Sequence, residues 1–275
     1  MKIALLPNLT RAKAFDVTLE IIKWLNEYKA EIACNSDKFS PVPCKPLTEL
    51  MEWCDVAITV GGDGSMLAAA KHTVDFEKPV LCINAGRLAF MAGLESDELE
   101  LLKELIDGEY KIDRRMLLDV NILRSGEMVY SGRCINDAVL ARGAQLKLTD
   151  IDVICDGKSI NSYRADGIIV ATPTGSSGYS LSAGGPVINP SMEAIVVTPI
   201  CAQSLFARSI VFSSENEIDL KSGDDNLLLS LDGEESIEIK PNDIIKLKKS
   251  DKHADFIRIK NEAFFEVLNN KLAGM

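Results

Sequence analysis

The order of helix and strand patterns changes once along this chain, near Gly108. Before Gly108, short apolar runs such as Lys2–Pro7 and residues 55–60 alternate with helical patterns such as residues 11–28. After Gly108, strand-like runs follow one another through tight turns such as Ser125-Gly126. Alternation of strands and helices is typical of an open, mostly parallel sheet, whereas successive short strands are typical of antiparallel sheets. The chain is therefore predicted to contain both, in that order.

The predicted fold is an α/β N-terminal domain with an open, mostly parallel sheet, followed by an all-β, sandwich-like domain. We place the first domain at residues 1–110 and the second, β-rich domain at residues 111–260. Helical propensity returns only at Glu262–Leu272.

Composition limits the partners and the compartment. The formal net charge of -11 argues against nucleic acid, because binding to a phosphate backbone needs a basic surface. Seven cysteines without a C-x-x-C pair indicate reduced thiols, and hence a cytoplasmic protein. The longest uncharged stretch, Gly167–Met192, contains too many glycines and prolines to be a membrane helix. We expect no membrane partner, and we interpret this stretch as a binding surface.

The sharpest local motif is Val60-Gly61-Gly62-Asp63-Gly64-Ser65, in which an apolar strand enters a glycine-rich turn. Ser65 is predicted to cap the helix that follows. Glycines let a backbone approach a phosphate chain, and a helix N-terminus offers N–H donors. An aspartate there would repel phosphate, unless it holds Mg²⁺ or accepts a proton from an attacking hydroxyl. Taken alone, the motif fits a plain strand–helix turn almost as well.

Two further segments carry polar side chains among apolar residues. Residues 163–180 pair a strand with a loop rich in glycine and hydroxyl groups, flanked by Asp166 and Tyr179. This arrangement modestly favours a ligand role over a core tyrosine and a turn aspartate. Asn136-Asp137 lies between apolar residues, and burying such groups is costly unless they find partners. A nucleoside would supply partners, but a turn before a strand explains the pair equally well.

Together these motifs resemble the NAD kinase family. The resemblance rests on motifs that occur in family order across residues 56–235: G-G-D-G at 61–64, N-A-G-R-L at 84–88 with Phe90, Asn136-Asp137, the D-G-I-I-V-A-T-P-T-G-S-S-G-Y-S-L-S-A-G-G-P run at 166–186, T-P-I-C at 198–201 and L-D-G at 231–233. The run at 166–186 is the most specific of them. Asp137 stands where the family commonly has Glu, and no histidine stands next to Asp232-Gly233.

The resemblance implies a phosphotransferase. Its substrates would be NAD and ATP or another phosphoryl donor, and the 2′-hydroxyl of the adenosine ribose of NAD would be phosphorylated to give NADP. It also implies a divalent metal, Mg²⁺ or Mn²⁺, and a homo-oligomer, either a dimer or a tetramer. NAD would bind in a crevice between the domains, and residues 261–275 would return to the first domain as a helix.

The resemblance further implies roles for individual residues. Asp63 would be the general base, and Gly61, Gly62 and Gly64 would cradle the triphosphate. Asn136 and Asp137 would contact the adenosine part of NAD, and Asp166 would meet the nicotinamide carboxamide. The residues that would line the NAD site are Thr174, Ser177, Gly178, Tyr179 and Ser182. Asp232 would supply a metal ligand or charge near the reacting centre.

Two alternatives differ in class from a NAD kinase. A related G-G-D-G kinase would act on a lipid or a sugar phosphate, although the run at 166–186 matches NAD kinases better. A sensor would bind NADP without turnover, although the retained Asp63 argues against it.

Overall fold

The computed structural model describes residues 1–86, 89, 91–144, 147–203, 207–234, 236–260, 264, 266, 268 and 269. It contains two compact units: an N-terminal unit of Met1–Arg114 with the chain from His253 onward, and a central unit of Arg115–Lys252. The chain passes from one unit to the other inside two long strands rather than in linkers. The boundaries predicted at residues 110 and 260 lie at the outer ends of the same two strands.

The N-terminal unit is built on a parallel sheet. Its elements are β1 (Lys2–Pro7), α1 (Ala14–Glu27), β2 (Glu31–Cys34), α2 (Leu47–Trp53), β3 (Val56–Gly61), α3 (Asp63–Val74), β4 (Val80–Asn84), β5 (Leu94–Glu95) and α4 (Leu102–Asp107), with 3₁₀ turns at Asp37–Phe39 and Leu99–Leu101. The strand order is β2-β1-β3-β4, and every neighbouring pair is parallel. β1, β3 and β4 are buried along nearly their whole length, as expected for strands covered on both faces. The predicted α/β alternation is confirmed.

Helix boundaries in this unit follow local sequence signals. The predicted helix at 11–28 is α1, which buries Val17, Ile21 and Leu25 at helical spacing. Helix α4 ends at Gly108, whose φ of 80° is the left-handed conformation that glycine adopts readily at a helix C-terminus. The position where the sequence pattern changes is therefore a helix cap.

The central unit is a β-sandwich. Its elements are β6 (Lys111–Arg124), β7 (Glu127–Cys134), β8 (Asp137–Arg142), β9 (Thr149–Cys155), β10 (Lys158–Ala165), β11 (Gly167–Ala171), a 3₁₀ turn (Gly175–Ser177), α5 (Tyr179–Ser182), β12 (Ala194–Ile200), β13 (Ile210–Ser213), β14 (Ile218–Lys221), β15 (Leu227–Leu231), β16 (Ser236–Ile239) and β17 (Ile244–Arg258); β6 and β17 continue into the N-terminal unit. One sheet has the antiparallel order β13-β12-β11-β8-β15-β16. Opposite it lie β10-β9-β14-β17 and the β6–β7 hairpin.

A single apolar core fills the space between these two layers. Leu140, Val170 and Leu229 of the antiparallel sheet belong to the same buried cluster as Val120 and Val153 of the opposite layer. Alternate residues of β15 point into this cluster and away from it, as the period of two requires. The predicted sandwich-like domain is confirmed.

The chain after β17 returns to the N-terminal unit. Most of the predicted helix at Glu262–Leu272 lies outside the described residues. Within it, Phe264, Glu266, Leu268 and Asn269 are helical, and Leu268 is buried.

All seven cysteines are free thiols, and five of them are buried. Burial raises the pKa of Cys34 to about 11 and that of Cys82 to about 12, so both thiols stay protonated near neutral pH. They act as small core side chains. Among the described residues, no helix combines the length and the apolar character that crossing a membrane requires.

A partly buried ion pair should make the stability of the central unit depend on pH. Arg124 donates to both oxygens of the buried Asp243 carboxylate at 2.9 and 2.7 Å, and these bonds lower the pKa of Asp243. Stability from this group is present above the usual pKa of aspartate, about 4, and is lost as pH falls through the lowered value. We expect Asp243→Asn to lower the free energy of unfolding at neutral pH. The difference in free energy of unfolding between wild type and variant, measured by urea titration, should become smaller below about pH 4. A difference that stays constant with pH would contradict this.

The loop after β11 packs against the backbone of Asn136, which leaves no room for a side chain at Gly175. A Cβ atom on Gly175 would lie 2.1 Å from the carbonyl oxygen of Asn136. We expect Gly175→Ala to lower the free energy of unfolding by about 1–3 kcal/mol, because backbone atoms must move. Gly223→Ala is the control, since a Cβ at Gly223 meets no atom within 4 Å in the part of the chain that the structure describes. Equal unfolding midpoints for the two variants in urea would show that this packing does not constrain the loop.

Candidate active site

The turn between β3 and α3 holds the G-G-D-G motif. Gly62 is the N-cap of α3, in extended conformation, and its carbonyl accepts from Ser65 N–H at 2.9 Å and Met66 N–H at 3.1 Å. The helix thus begins at Asp63, and the prediction that Ser65 is the N-cap is wrong. Glycine is tolerated at an N-cap, and the Ser65 hydroxyl is used elsewhere: it accepts from Asn8 Nδ2 at 2.7 Å.

The three glycines of the motif differ in their surroundings. A Cβ on Gly61 would lie 2.4 Å from Ser65 Oγ, so this glycine is needed for the strand to meet the helix. A Cβ on Gly62 or Gly64 would meet no atom of the described residues within 4 Å. The backbone of these two residues is therefore accessible at a helix N-terminus, where the first N–H groups have no partner within the helix.

Asp63 is half-buried at the first position of α3. Its Oδ1 accepts from the backbone N–H of Met91 at 3.0 Å. Arg258 holds the same loop from the other side, donating to the carbonyl oxygen of Ala92 at 2.6 Å and, through Nε, to Asp113 at 3.1 Å. The orientation of the Asp63 carboxylate is thus tied to a loop that an arginine anchors. Arg87, Leu88 and Phe90 of the neighbouring motif lie outside the described residues.

Asn136 and Asp137 lie at the start of β8, in the middle of the antiparallel sheet. Asp137 pairs with Ala171 at the end of β11. Asp232, which follows β15, accepts from the backbone N–H groups of Ile135, Asn136 and Asp137 at 2.9, 2.7 and 3.1 Å. The structure therefore brings Asp232 to the Asn136-Asp137 segment and gives both of its oxygens backbone partners.

The loop after β11 carries most of the remaining predicted residues. Thr174 is buried and accepts from Arg115 Nη1 at 3.3 Å. Ser177 is half-buried and donates to the carbonyl of Thr174, whereas Gly178, Tyr179 and Ser182 are exposed. The first residues of this loop are thus held in place, whereas its last residues are accessible.

Asp166 lies at the opposite end of β11 from this loop. It precedes the strand and accepts from Arg142 Nε at 2.6 Å. Six residue steps separate Asp166 from Thr172, which is about 20 Å at about 3.4 Å per residue. Within the central unit, the structure brings Asn136, Asp137, Thr174 and Asp232 together and keeps Asp166 apart from them.

Sequence reasoning missed three residues that hold these segments in place. Arg115 is a buried cation at the beginning of an apolar run, and this contrast in the sequence is the signal that marks it. Thr172 and Arg258 bear no such signal, because their role depends on backbone groups distant in sequence.

The chain is similar to known proteins over nearly its whole length. A family model described as the ATP-NAD kinase N-terminal domain matches residues 30–110, and one described as the ATP-NAD kinase C-terminal domain matches residues 135–259. A NAD kinase of Thermoanaerobacter sp. (strain X514) is 35% identical over 278 residues, which cover 98% of both chains. A NAD kinase of Caldanaerobacter subterraneus subsp. tengcongensis is 36% identical over the same shares.

Two solved structures have the same fold. Yeast NADH kinase, crystallised with NADH, superposes with a TM-score of 0.92 at 24% identity, over 99% of this chain and 87% of that one. A NAD kinase from Archaeoglobus fulgidus in complex with ATP gives a TM-score of 0.79 at 25% identity, over 100% of both chains. With relatives this similar over their full length, the chain belongs to the NAD kinase family and is a phosphotransferase with NAD kinase function.

Proposed function

We propose that this kinase transfers the terminal phosphoryl group of ATP to the 2′-hydroxyl of the adenosine ribose of NAD, with Asp63 as the general base. The observation that carries the proposal is the position of Asp63. It is the first residue of a helix, between two glycines whose backbone is accessible, and its carboxylate is held by the Met91 N–H. Phosphoryl transfer needs positioning, charge neutralisation and a proton acceptor. This turn provides the positioning and the proton acceptor.

The chemical step uses these groups in sequence. The backbone of Gly61, Gly62 and Gly64 supports the triphosphate at the N-terminus of α3, where N–H groups and the helix dipole favour anions. As the 2′-oxygen attacks the terminal phosphorus, its proton passes to the Asp63 carboxylate. The bond from that phosphorus to the bridging oxygen breaks, and ADP leaves with the electron pair.

The central unit supplies the contacts to NAD in this proposal. Asn136 and Asp137 contact the adenosine part, and Thr174, Ser177, Gly178, Tyr179 and Ser182 line the site. Two observations support these contacts. The end of the loop after β11 is exposed, and the close packing of Gly175 on Asn136 holds Thr174 near Asn136. Asp166 meets the nicotinamide carboxamide; a carboxylate has about four acceptor positions, so its bond to Arg142 leaves acceptor capacity.

A divalent metal, Mg²⁺ or Mn²⁺, is proposed to enter with the nucleotide. Among the described residues, no group of three or more His, Cys, Asp or Glu side chains is placed to hold a metal ion. Mg²⁺ commonly keeps several waters and binds substrate phosphates with only one or two carboxylates, so the nucleotide would supply most of the ligands of such an ion. The metal would neutralise charge on the transferred phosphoryl group.

We also propose that the chain is a cytoplasmic homo-oligomer. The face of the antiparallel sheet that points away from the core carries Val211 and Leu228, which are 51% and 37% exposed, with the half-buried Val139 nearby. These exposed apolar side chains are available for contact with a second copy of the chain. The seven free thiols support a reducing compartment.

Replacing the proposed base tests the function directly. We expect Asp63→Asn to keep the fold but to lower kcat by at least about 10²-fold, since general-base help is typically worth about 10²–10⁴-fold. The measurement is steady-state formation of NADP, with the product identified as the 2′- rather than the 3′-phosphate. Asp75→Asn, at the other end of α3, is the control and should retain activity. Near-normal turnover by Asp63→Asn would refute the assignment.

Metal removal tests the source of positive charge. We expect EDTA to abolish NADP formation, and Mg²⁺ or Mn²⁺ to restore it, because the Asp63 carboxylate adds negative charge beside an anionic triphosphate and a cation must offset both. Calorimetric titration of the nucleotide-free chain with Mg²⁺ should show no micromolar binding. Tight binding without nucleotide would instead point to a site preformed by the protein.

A further inference from the structure

The backbone of Ile135–Asp137 is fixed completely by two other residues. Its three N–H groups donate to the Asp232 carboxylate, at 2.7 to 3.1 Å. Its three carbonyls accept from Thr172 Oγ1 at 2.6 Å, Thr172 N–H at 2.8 Å and Asp232 N–H at 2.9 Å, in chain order. Every backbone polar group of the segment is therefore bonded, and none of these bonds involves the side chain of Asn136 or Asp137.

The conformation of Asp232 explains how one side chain reaches three donors. Asp232 has a φ of 53° and Gly233 a φ of 74°, so two successive left-handed residues turn the chain sharply after β15. Aspartate tolerates this region better than most residues. Successive backbone N–H groups that converge on one point form an anion site, and here the protein's own carboxylate occupies it.

The same segment is pressed against the loop after β11. Thr172 begins that loop, and Gly175 packs so closely on Asn136 that a Cβ would lie 2.1 Å from its carbonyl oxygen. A displacement of residues 135–137 would therefore disturb the 172–175 backbone as well. Asn136, Asp137 and Thr174 are held as one rigid group.

We infer that Asp232 is a positioning residue for NAD binding, which acts by fixing the Ile135–Asp137 backbone together with Thr172. The inference rests on the proposed contacts of Asn136 and Asp137 with NAD. It differs from the sequence-based expectation that Asp232 supplies a metal ligand or charge at the reacting centre, because the three N–H groups use most of the acceptor positions of its carboxylate.

The isosteric variant Asp232→Asn separates these two roles. The side-chain NH₂ group of asparagine is a donor and cannot accept from a backbone N–H. At least one of the hydrogen bonds from residues 135–137 to this side chain is therefore lost. We expect the Kd for NAD, measured by calorimetry without ATP or metal, to rise at least about tenfold. KM for ATP and the Mg²⁺ concentration for half-maximal activity should stay unchanged. Hydrogen exchange at the amides of residues 135–137 should become faster.

Asp156→Asn is the matched control. Asp156 and Gly157 have φ values of 48° and 75°, and the Asp156 carboxylate accepts from Glu217 N–H at 2.9 Å, in a turn at the end of β9. This variant should lose comparable local bonds without a change in the Kd for NAD. An equal loss of NAD affinity in both variants would mean that general destabilisation, not positioning, is the cause, and would overturn the inference.

Other outcomes are equally decisive. If Asp232→Asn binds NAD as wild type does but needs more Mg²⁺, Asp232 serves the metal and the inference fails. If Asp232→Asn does not fold, Thr172→Val should weaken NAD binding and Thr172→Ser, which keeps the hydroxyl, should restore it; equal affinities in the two Thr172 variants would contradict the inference. If wild type itself does not bind NAD, the proposed function fails instead, and the amide exchange data show separately whether Asp232 fixes the segment.

Discussion

The turn that joins β3 to α3 leaves a single residue, Gly62, between strand and helix. The tight approach of Gly61 to Ser65, and the bond from Asn8 to the Ser65 hydroxyl, set where the helix begins. As a consequence, the first helical residue is the aspartate, and its carboxylate lies where a helix N-terminus favours anions. An aspartate at this point stabilises the helix N-terminus, and between accessible glycines it is also well suited to a reaction on a phosphate chain.

Two aspartates in similar sequence contexts have different surroundings. Asp63 and Asp232 are both followed by glycine. Asp63 is held by the Met91 N–H at the start of a helix, whereas three consecutive N–H groups converge on Asp232 after a strand. The bonding partners, rather than the residue type, separate a group suited to proton transfer from one suited to fixing a backbone.

The sequence was informative where local signals decide the structure. The period of apolar residues predicted α1, Gly108 marked the end of α4, and the change of pattern there predicted a parallel sheet followed by a sandwich. It was misleading at Ser65, because a side chain fifty-seven positions away uses the hydroxyl. It did not reveal what Asp232, Thr172 and Arg258 bind, since each contacts the backbone of a segment brought close only by the fold.

The claim on which the account depends is that the Asp63 carboxylate meets the ribose hydroxyl that becomes phosphorylated. A crystal structure of the wild-type chain with NAD and a non-hydrolysable ATP analogue measures this contact directly. The account predicts a distance of about 2.6–3.2 Å between a carboxylate oxygen of Asp63 and the 2′-oxygen, the range for direct proton transfer. A 2′-hydroxyl bonded to another side chain, with the Asp63 carboxylate turned away from the ribose, would contradict it.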